Sequence, residues 1–146
     1  MLRGNYAAKI DEKARLKIPN AFRALVEKTH GAELFVTSLT GESVRIYPMP
    51  VWLALEERLA RAPSTLPARN RFLDRVNYFG QAAEIDTQGR VVIHQRLRES
   101  AGMAGEVDVL GSVDRLDVWN HDRLVAKMLS DPYTDDDARA LSEFGI

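Results

Sequence analysis

Residues 10–18 read Ile10-Asp11-Glu12-Lys13-Ala14-Arg15-Leu16-Lys17-Ile18, and 75 positions further on residues 85–93 read Ile85-Asp86-Thr87-Gln88-Gly89-Arg90-Val91-Val92-Ile93. Apolar, Asp and Arg positions coincide. With small changes of offset the correspondence continues: Phe22-Arg23 matches Leu97-Arg98, Leu34-Phe35-Val36 matches Val107-Asp108-Val109, and Val44-Arg45-Ile46-Tyr47 matches Leu116-Asp117-Val118-Trp119. Two copies of one supersecondary unit explain this self-similarity most economically.

Each copy reads as strand, turn, strand, short helix, strand, strand, helix. In the first copy, Tyr6 to Ile10 and Arg15 to Ile18 flank a tight turn. Pro19 suits the first position of a helix running to about Lys28, because its missing N–H is no loss there, and Gly31 closes that helix. Alternation in Leu34 to Thr37 and Val44 to Tyr47 predicts two half-buried strands, and Pro50 opens a helix with Val51, Leu55 and Leu59 at helical spacing. In the second copy Gly102 ends the short helix, and Asn120 is placed to cap the last one. A loop, Ala62-Pro63-Ser64-Thr65-Leu66-Pro67, and a helix from Ala68 to about Tyr78 with Phe72 and Val76 on one face separate the copies. The expected divisions are therefore a first repeat over 1–61, a spacer over 62–80, a second repeat over 81–130 and an acidic tail over 131–146. Four short strands cannot enclose a core alone, so the two repeats must pair or interleave their hairpins into a compact α+β body with β-barrel character.

The 146 residues, 45% of them hydrophobic, suffice for one modest core or two very small ones. Cysteine is absent, which removes disulfides, thiolate nucleophiles and sulfur-rich metal sites, and points to a reducing cytoplasm. The start, Met1-Leu2-Arg3-Gly4-Asn5-Tyr6, lacks the apolar core of a signal peptide, and no apolar run approaches a membrane span. A soluble, unprocessed protein without membrane contact is expected. The net charge of −1 conceals a polarised chain. Residues 1–23 carry six cations against two carboxylates, whereas residues 130–146 carry one cation against five carboxylates.

The D-x-x-x-R element occurs at Asp11/Arg15 and Asp86/Arg90. In a hairpin turn the Asp accepts from backbone N–H groups two residues on, and the Arg starts the returning strand within reach of it. On spacing alone, both elements read first as hairpin locks. Gly89 supplies the positive φ that such a turn wants, and the equivalent Ala14 must either pay a steric cost or adopt a different turn. Around the first turn stand Lys9, Lys13, Arg15 and Lys17, with Arg3 nearby in sequence; the second offers Arg90 and the later Arg96 and Arg98. A basic β-ribbon can lie along a DNA groove with Lys on phosphates and Arg on guanine. Arg3, Lys9, Lys13, Arg15 and Lys17 are accordingly the candidate DNA contacts, with Arg15 the candidate base contact, and Asp11, Asp86, Gly89 and Arg90 the turn-stabilising set. His30, His94 and His121 lack metal-ligand spacing. Asp135-Asp136-Asp137 after Thr134 suits the first turn of a helix better than a Mg²⁺ cluster. Trp52 and Trp119 fall by apolar faces, where packing is the default. No phosphate loop, nucleophile elbow or dinucleotide fingerprint is present, so no catalytic residue, cofactor, metal or small-molecule substrate is expected.

Met1-Leu2-Arg3-Gly4-Asn5-Tyr6, Ile10-Asp11…Arg15-Leu16-Lys17-Ile18-Pro19, Arg45-Ile46-Tyr47-Pro48…Trp52 and Ile85-Asp86…Gly89-Arg90 together resemble the MraZ family of bacterial transcriptional regulators, and the likeness runs to about Leu129. The resemblance implies two tandem AbrB-like repeats forming a swapped-hairpin, double-split β-barrel with short helices. It also implies ring-like homo-oligomers, a place in the cytoplasm and nucleoid, and binding of double-stranded DNA at short direct repeats upstream of the division and cell-wall gene cluster. Carried over by position, the DNA-facing motif falls on Asp11 to Arg15 with Lys17. Two departures stand out: Ala14 where the family usually has Gly, and His94 where the second copy usually has Pro.

Two other classes are weighed against this reading. One is an antitoxin-like or scaffold module that engages a protein through its acidic tail without direct gene control. The other is a hydrolase using Asp/His pairs, for which no residues meet the spacing that a site needs.

Overall fold

The computed structural model describes all 146 residues. Fourteen elements follow in order: β1 (Leu2–Ile10), β2 (Arg15–Lys17), α1 (Asn20–His30), β3 (Glu33–Thr37), β4 (Val44–Pro48), α2 (Met49–Arg61), α3 (Pro67–Phe79), β5 (Gln81–Glu84), β6 (Arg90–Val92), α4 (Gln95–Ser100), β7 (Gly105–Val113), β8 (Arg115–Asn120), α5 (His121–Ser130) and α6 (Asp135–Ser142). The eight strands form one antiparallel sheet in the order β5-β3-β4-β8-β7-β1-β2-β6. Its end strands, β5 and β6, are joined by the second hairpin turn, where the Asp86 N–H donates to the Arg90 carbonyl at 2.9 Å, so the barrel is nearly closed.

The hairpins are swapped. β1 pairs with β7 of the second repeat, and its counterpart β5 pairs with β3 of the first. The central contact is β2 on β6, where Leu16 stands opposite Val91, its own equivalent in the other repeat. A pseudo-two-fold axis therefore passes through that pair. The same symmetry repeats in the flanking bonds: the Ile18 N–H donates to the Gly89 carbonyl at 2.9 Å, and the Ile93 N–H to the Ala14 carbonyl at 3.0 Å. Leu16, Ile18, Val91 and Ile93 are almost wholly excluded from solvent and sit in a 19-residue core supplied by both repeats. Because an antiparallel sheet with one face packed alternates inward and outward residues, this core fixes which side chains face out.

The two halves differ outside this core. On the first, α2 and α3 cover the outer face of β3 and β4: Phe35 stacks on Trp52 with centroids 4.4 Å apart, and buried Thr37 donates its hydroxyl to the Val76 carbonyl at 2.7 Å. On the second, the position equivalent to Phe35 is Asp108, a buried carboxylate held by His121 Nδ1 at 2.7 Å and Asn5 Nδ2 at 3.3 Å. The Asp108 carboxylate in turn raises the His121 pKa. The Asn120 side chain caps α5 by accepting from the Arg123 N–H at 3.2 Å. Asp137 forms a capping box with Thr134 at the start of α6, which gives that acidic run a structural use. His94 starts α4 where Pro19 starts α1, and the second helix is shorter, 6 residues against 11.

β1 begins at Leu2 rather than Tyr6, and its long pairing with β7 depends on a close approach that sequence periodicity does not announce. A Cβ built on Gly111 would lie 2.2 Å from the Arg3 nitrogen and 2.6 Å from its Cα. Both are backbone atoms, so strand separation is the only relief. Gly111→Ala is expected to destabilise the protein by about 1–3 kcal/mol through overpacking. Thermal denaturation beside Gly105→Ala, where a Cβ has open space but φ is +68°, separates crowding from backbone strain.

Candidate nucleic-acid interface

Both hairpin turns are locked alike. Asp11 Oδ1 accepts from the Lys13 and Arg15 backbone N–H groups, each at 2.9 Å, and Oδ2 from Arg15 Nε at 2.8 Å. Asp86 Oδ1 accepts from Gln88 N–H at 2.8 Å and Arg90 N–H at 2.9 Å, and Oδ2 from Arg90 Nε at 3.0 Å. Ala14 adopts φ +62°, beside +79° at Gly89, so the alanine bears the left-handed conformation instead of selecting another turn. The backbone bond from Arg15 lowers the Asp11 pKa most, with the side-chain bond to Arg15 and the Lys13 N–H adding to it; Asp86 is lowered by the same set from Arg90 and Gln88.

The hairpin register decides which cations meet. Ile10 stands opposite Leu16, which carries Lys9 across from Lys17; on the other side Lys17 stands opposite Arg90. Lys9, Lys17 and Arg90 thus form a row across three strands of the outward face, ended by Glu106 opposite Lys9 on β7. Arg15 occupies the neighbouring row, opposite Val92, which is exposed. Lys13 lies in the turn itself and is exposed. Arg3 is brought to none of these: it pairs with Ser112 near the far end of β1, six residues or about 20 Å from Lys9.

The locks limit what each arginine can do. With Nε of Arg15 and Arg90 committed to carboxylates, only the terminal guanidinium nitrogens remain for a ligand, and they remain in a fixed orientation. A base-edge contact needs two such donors held in a plane, which this pose provides. Along the chain Arg90 reads only as a turn residue. The β2–β6 register sets it in the cation row, and no local charge count could have revealed that.

Two interleaved copies of one β-hairpin unit, closed into a barrel within a single chain, define a swapped-hairpin, double-split-barrel protein of the AbrB type. The family profile described as "MraZ protein, putative antitoxin-like" matches residues 1–75 and 80–144. The chain is 44% identical over 146 residues to the protein named Transcriptional regulator MraZ of Acidobacterium capsulatum, with both chains covered in full. It is 43% identical over 147 residues to that of Koribacter versatilis, and 32% identical over 148 residues to that of Caldicellulosiruptor bescii, each again over the full length of both chains. The chain belongs to the MraZ family, whose named relatives are transcriptional regulators. No helix is long and apolar enough to cross a membrane.

A carboxylate whose folded pKa lies below its ordinary value of 3.8 stabilises the fold above that value, and the contribution is lost as pH falls through the folded pKa. Stability conferred by the two locks is therefore present at neutral pH and lost below about pH 4. Asp11→Asn/Asp86→Asn is expected to be less stable than the parent at pH 7, with the difference shrinking towards pH 3. Melting temperatures measured across that range check this, and a constant difference would contradict it.

Proposed function

We propose that this chain is a sequence-specific DNA-binding transcriptional regulator that binds short direct repeats upstream of its own operon, in the division and cell-wall gene cluster, through the outward face of the first hairpin. The observation that carries the reading is the row Lys9, Lys17 and Arg90 beside Arg15 on a ribbon locked at both turns. Lysines at such positions suit phosphates, and the oriented guanidinium of Arg15 suits a guanine edge. Lys13 at the tip adds a phosphate contact, and Arg3, at the far end of β1, would reach a more distant part of the same duplex.

One such ribbon offers few charges, and its affinity would be weak and salt-sensitive. A ring-like homo-oligomer places several ribbons on successive repeats and raises the effective concentration of each later contact. Exposed apolar side chains give surface for self-association: Val125, Met128 and Leu129 on α5, then Phe144 and Ile146 beyond α6. A cytoplasmic, nucleoid-associated location follows from this role.

Salt-titrated binding to DNA from upstream of its own gene, with scrambled DNA as control, tests the reading. Lys9→Ala and Lys17→Ala should each reduce the slope of log affinity against log salt by about 0.9 for every ribbon engaged and leave the preference for the upstream DNA intact. Arg15→Ala should abolish that preference while the protein stays folded and oligomeric. A parent protein with no preference at any salt would overturn the proposal.

A further inference from the structure

The pseudo-two-fold axis through Leu16 and Val91 also relates two notches at opposite corners of the ribbon. The first lies between β1 and the start of α1 and is lined by Ala7, Ala8, Lys9, Lys17, Pro19 and Asn20, among others. At the dyad-related corner, His94 and Gln95 replace Pro19 and Asn20, and these two residues line an open polar cleft of about 1020 Å³ between the end of α3 and the start of α4. The two lysines have no basic counterpart across the axis, since the equivalent residues are Glu84 and Val92, neither of which lines the cleft.

A cation nevertheless stands in the second cleft. The exposed Arg96 guanidinium lies 4.5 Å from the centroid of the Tyr78 ring and enters no ion pair. The carboxylate of Glu99, which lines the same cleft, accepts from Gln95 Nε2 at 3.0 Å. The walls are fixed: the His94 ring donates through Nε2 to the Phe79 carbonyl, Ser100 Oγ donates to the Gly41 carbonyl at 2.9 Å, and Tyr78 packs edge-on against Phe79. A guanidinium stacked on an anchored aromatic ring keeps its charge available while losing little further freedom on binding an anion.

We propose that this cleft is the second half of the nucleic-acid face, with Arg96 contacting a backbone phosphate on the strand opposite to the one held by Lys9 and Lys17. The inference rests on the DNA-binding reading of the first hairpin. Three inter-strand spacings separate β1 from β5 across the ribbon β1-β2-β6-β5, about 14 Å in all. The major groove is about 12 Å wide. A ribbon laid over that groove, with its strands running along it, presents its two corners to different backbones, one through the lysines of the first repeat and the other through Arg96 of the second. The second repeat then adds a phosphate contact of its own beyond Arg90, although its hairpin lacks the lysines.

Phosphate-ethylation interference on upstream DNA, compared among parent, Lys17→Ala and Arg96→Ala, tests this directly. The parent is expected to show, in each repeat, one cluster of sensitive phosphates on each strand. Lys17→Ala should lose sensitivity on one strand and Arg96→Ala on the other, with Arg96→Ala also reducing the salt slope by about 0.9 for every ribbon engaged and keeping the preference for upstream over scrambled DNA. Arg61→Ala, an exposed arginine on α2, should match the parent throughout. If Arg96→Ala retains both clusters while Lys17→Ala loses one, the second-cleft proposal falls and the hairpin reading stands. A parent protein that binds upstream and scrambled DNA equally, with no defined cluster, removes both.

Discussion

The pairing of β2 with β6 is the constraint on which the rest of this molecule depends. Leu16 and Val91 meet as equivalents, and the two bonds beside them, Ile18 to Gly89 and Ile93 to Ala14, run from each repeat to the turn of the other. Neither hairpin could bury its inward face without its neighbour. Once they are joined, β1 must reach across to β7 and β5 to β3, so that the core belongs to both repeats at once. The same pairing exposes one continuous outward ribbon, and that ribbon carries the candidate interface.

Symmetry in the backbone coexists with asymmetry in the side chains. The turns are locked by the same bonds, yet Lys9 and Lys17 have Glu84 and Val92 as their counterparts across the axis. The outer faces diverge as well: the Phe35–Trp52 stack under α3 has as its counterpart the Asp108–His121 pair under α5, and α6 takes none of the covering role of α3. An internally duplicated chain can thus keep the pairing surfaces of both halves while the exposed positions specialise.

Much of this architecture was legible in the residues. The repeated Ile-Asp…Arg-apolar pattern located both hairpins, and Gly31, Gly102 and Asn120 marked helix ends because their backbone or capping chemistry is specific. What escaped was long-range. Nothing in Leu2-Arg3-Gly4-Asn5 alternates cleanly enough to place a strand start, because that stretch is held by β7 rather than by its own periodicity. The need for Gly111 arises from the Arg3 backbone, more than a hundred residues away in sequence. Arg3 looked adjacent to the lysines because it is close in sequence, but a fully extended strand carries it to the other end. Arg90, in neutral surroundings along the chain, joins the cation row through a register that no single-strand reading contains. The conformation of Ala14 was undecided between strain and another turn, and the Asp11 lock together with its bond to Ile93 settles it as strain.

The most direct measurement of the central claim is a structure of the oligomer bound to a duplex from upstream of its own gene. The account predicts the outward face of β1, β2 and β6 seated in a groove, Lys9 and Lys17 at phosphates, and Arg15 at a base edge with its bond to Asp11 intact. A complex in which the duplex lies on α5 and α6, or in which the first hairpin faces away from the DNA, would contradict it.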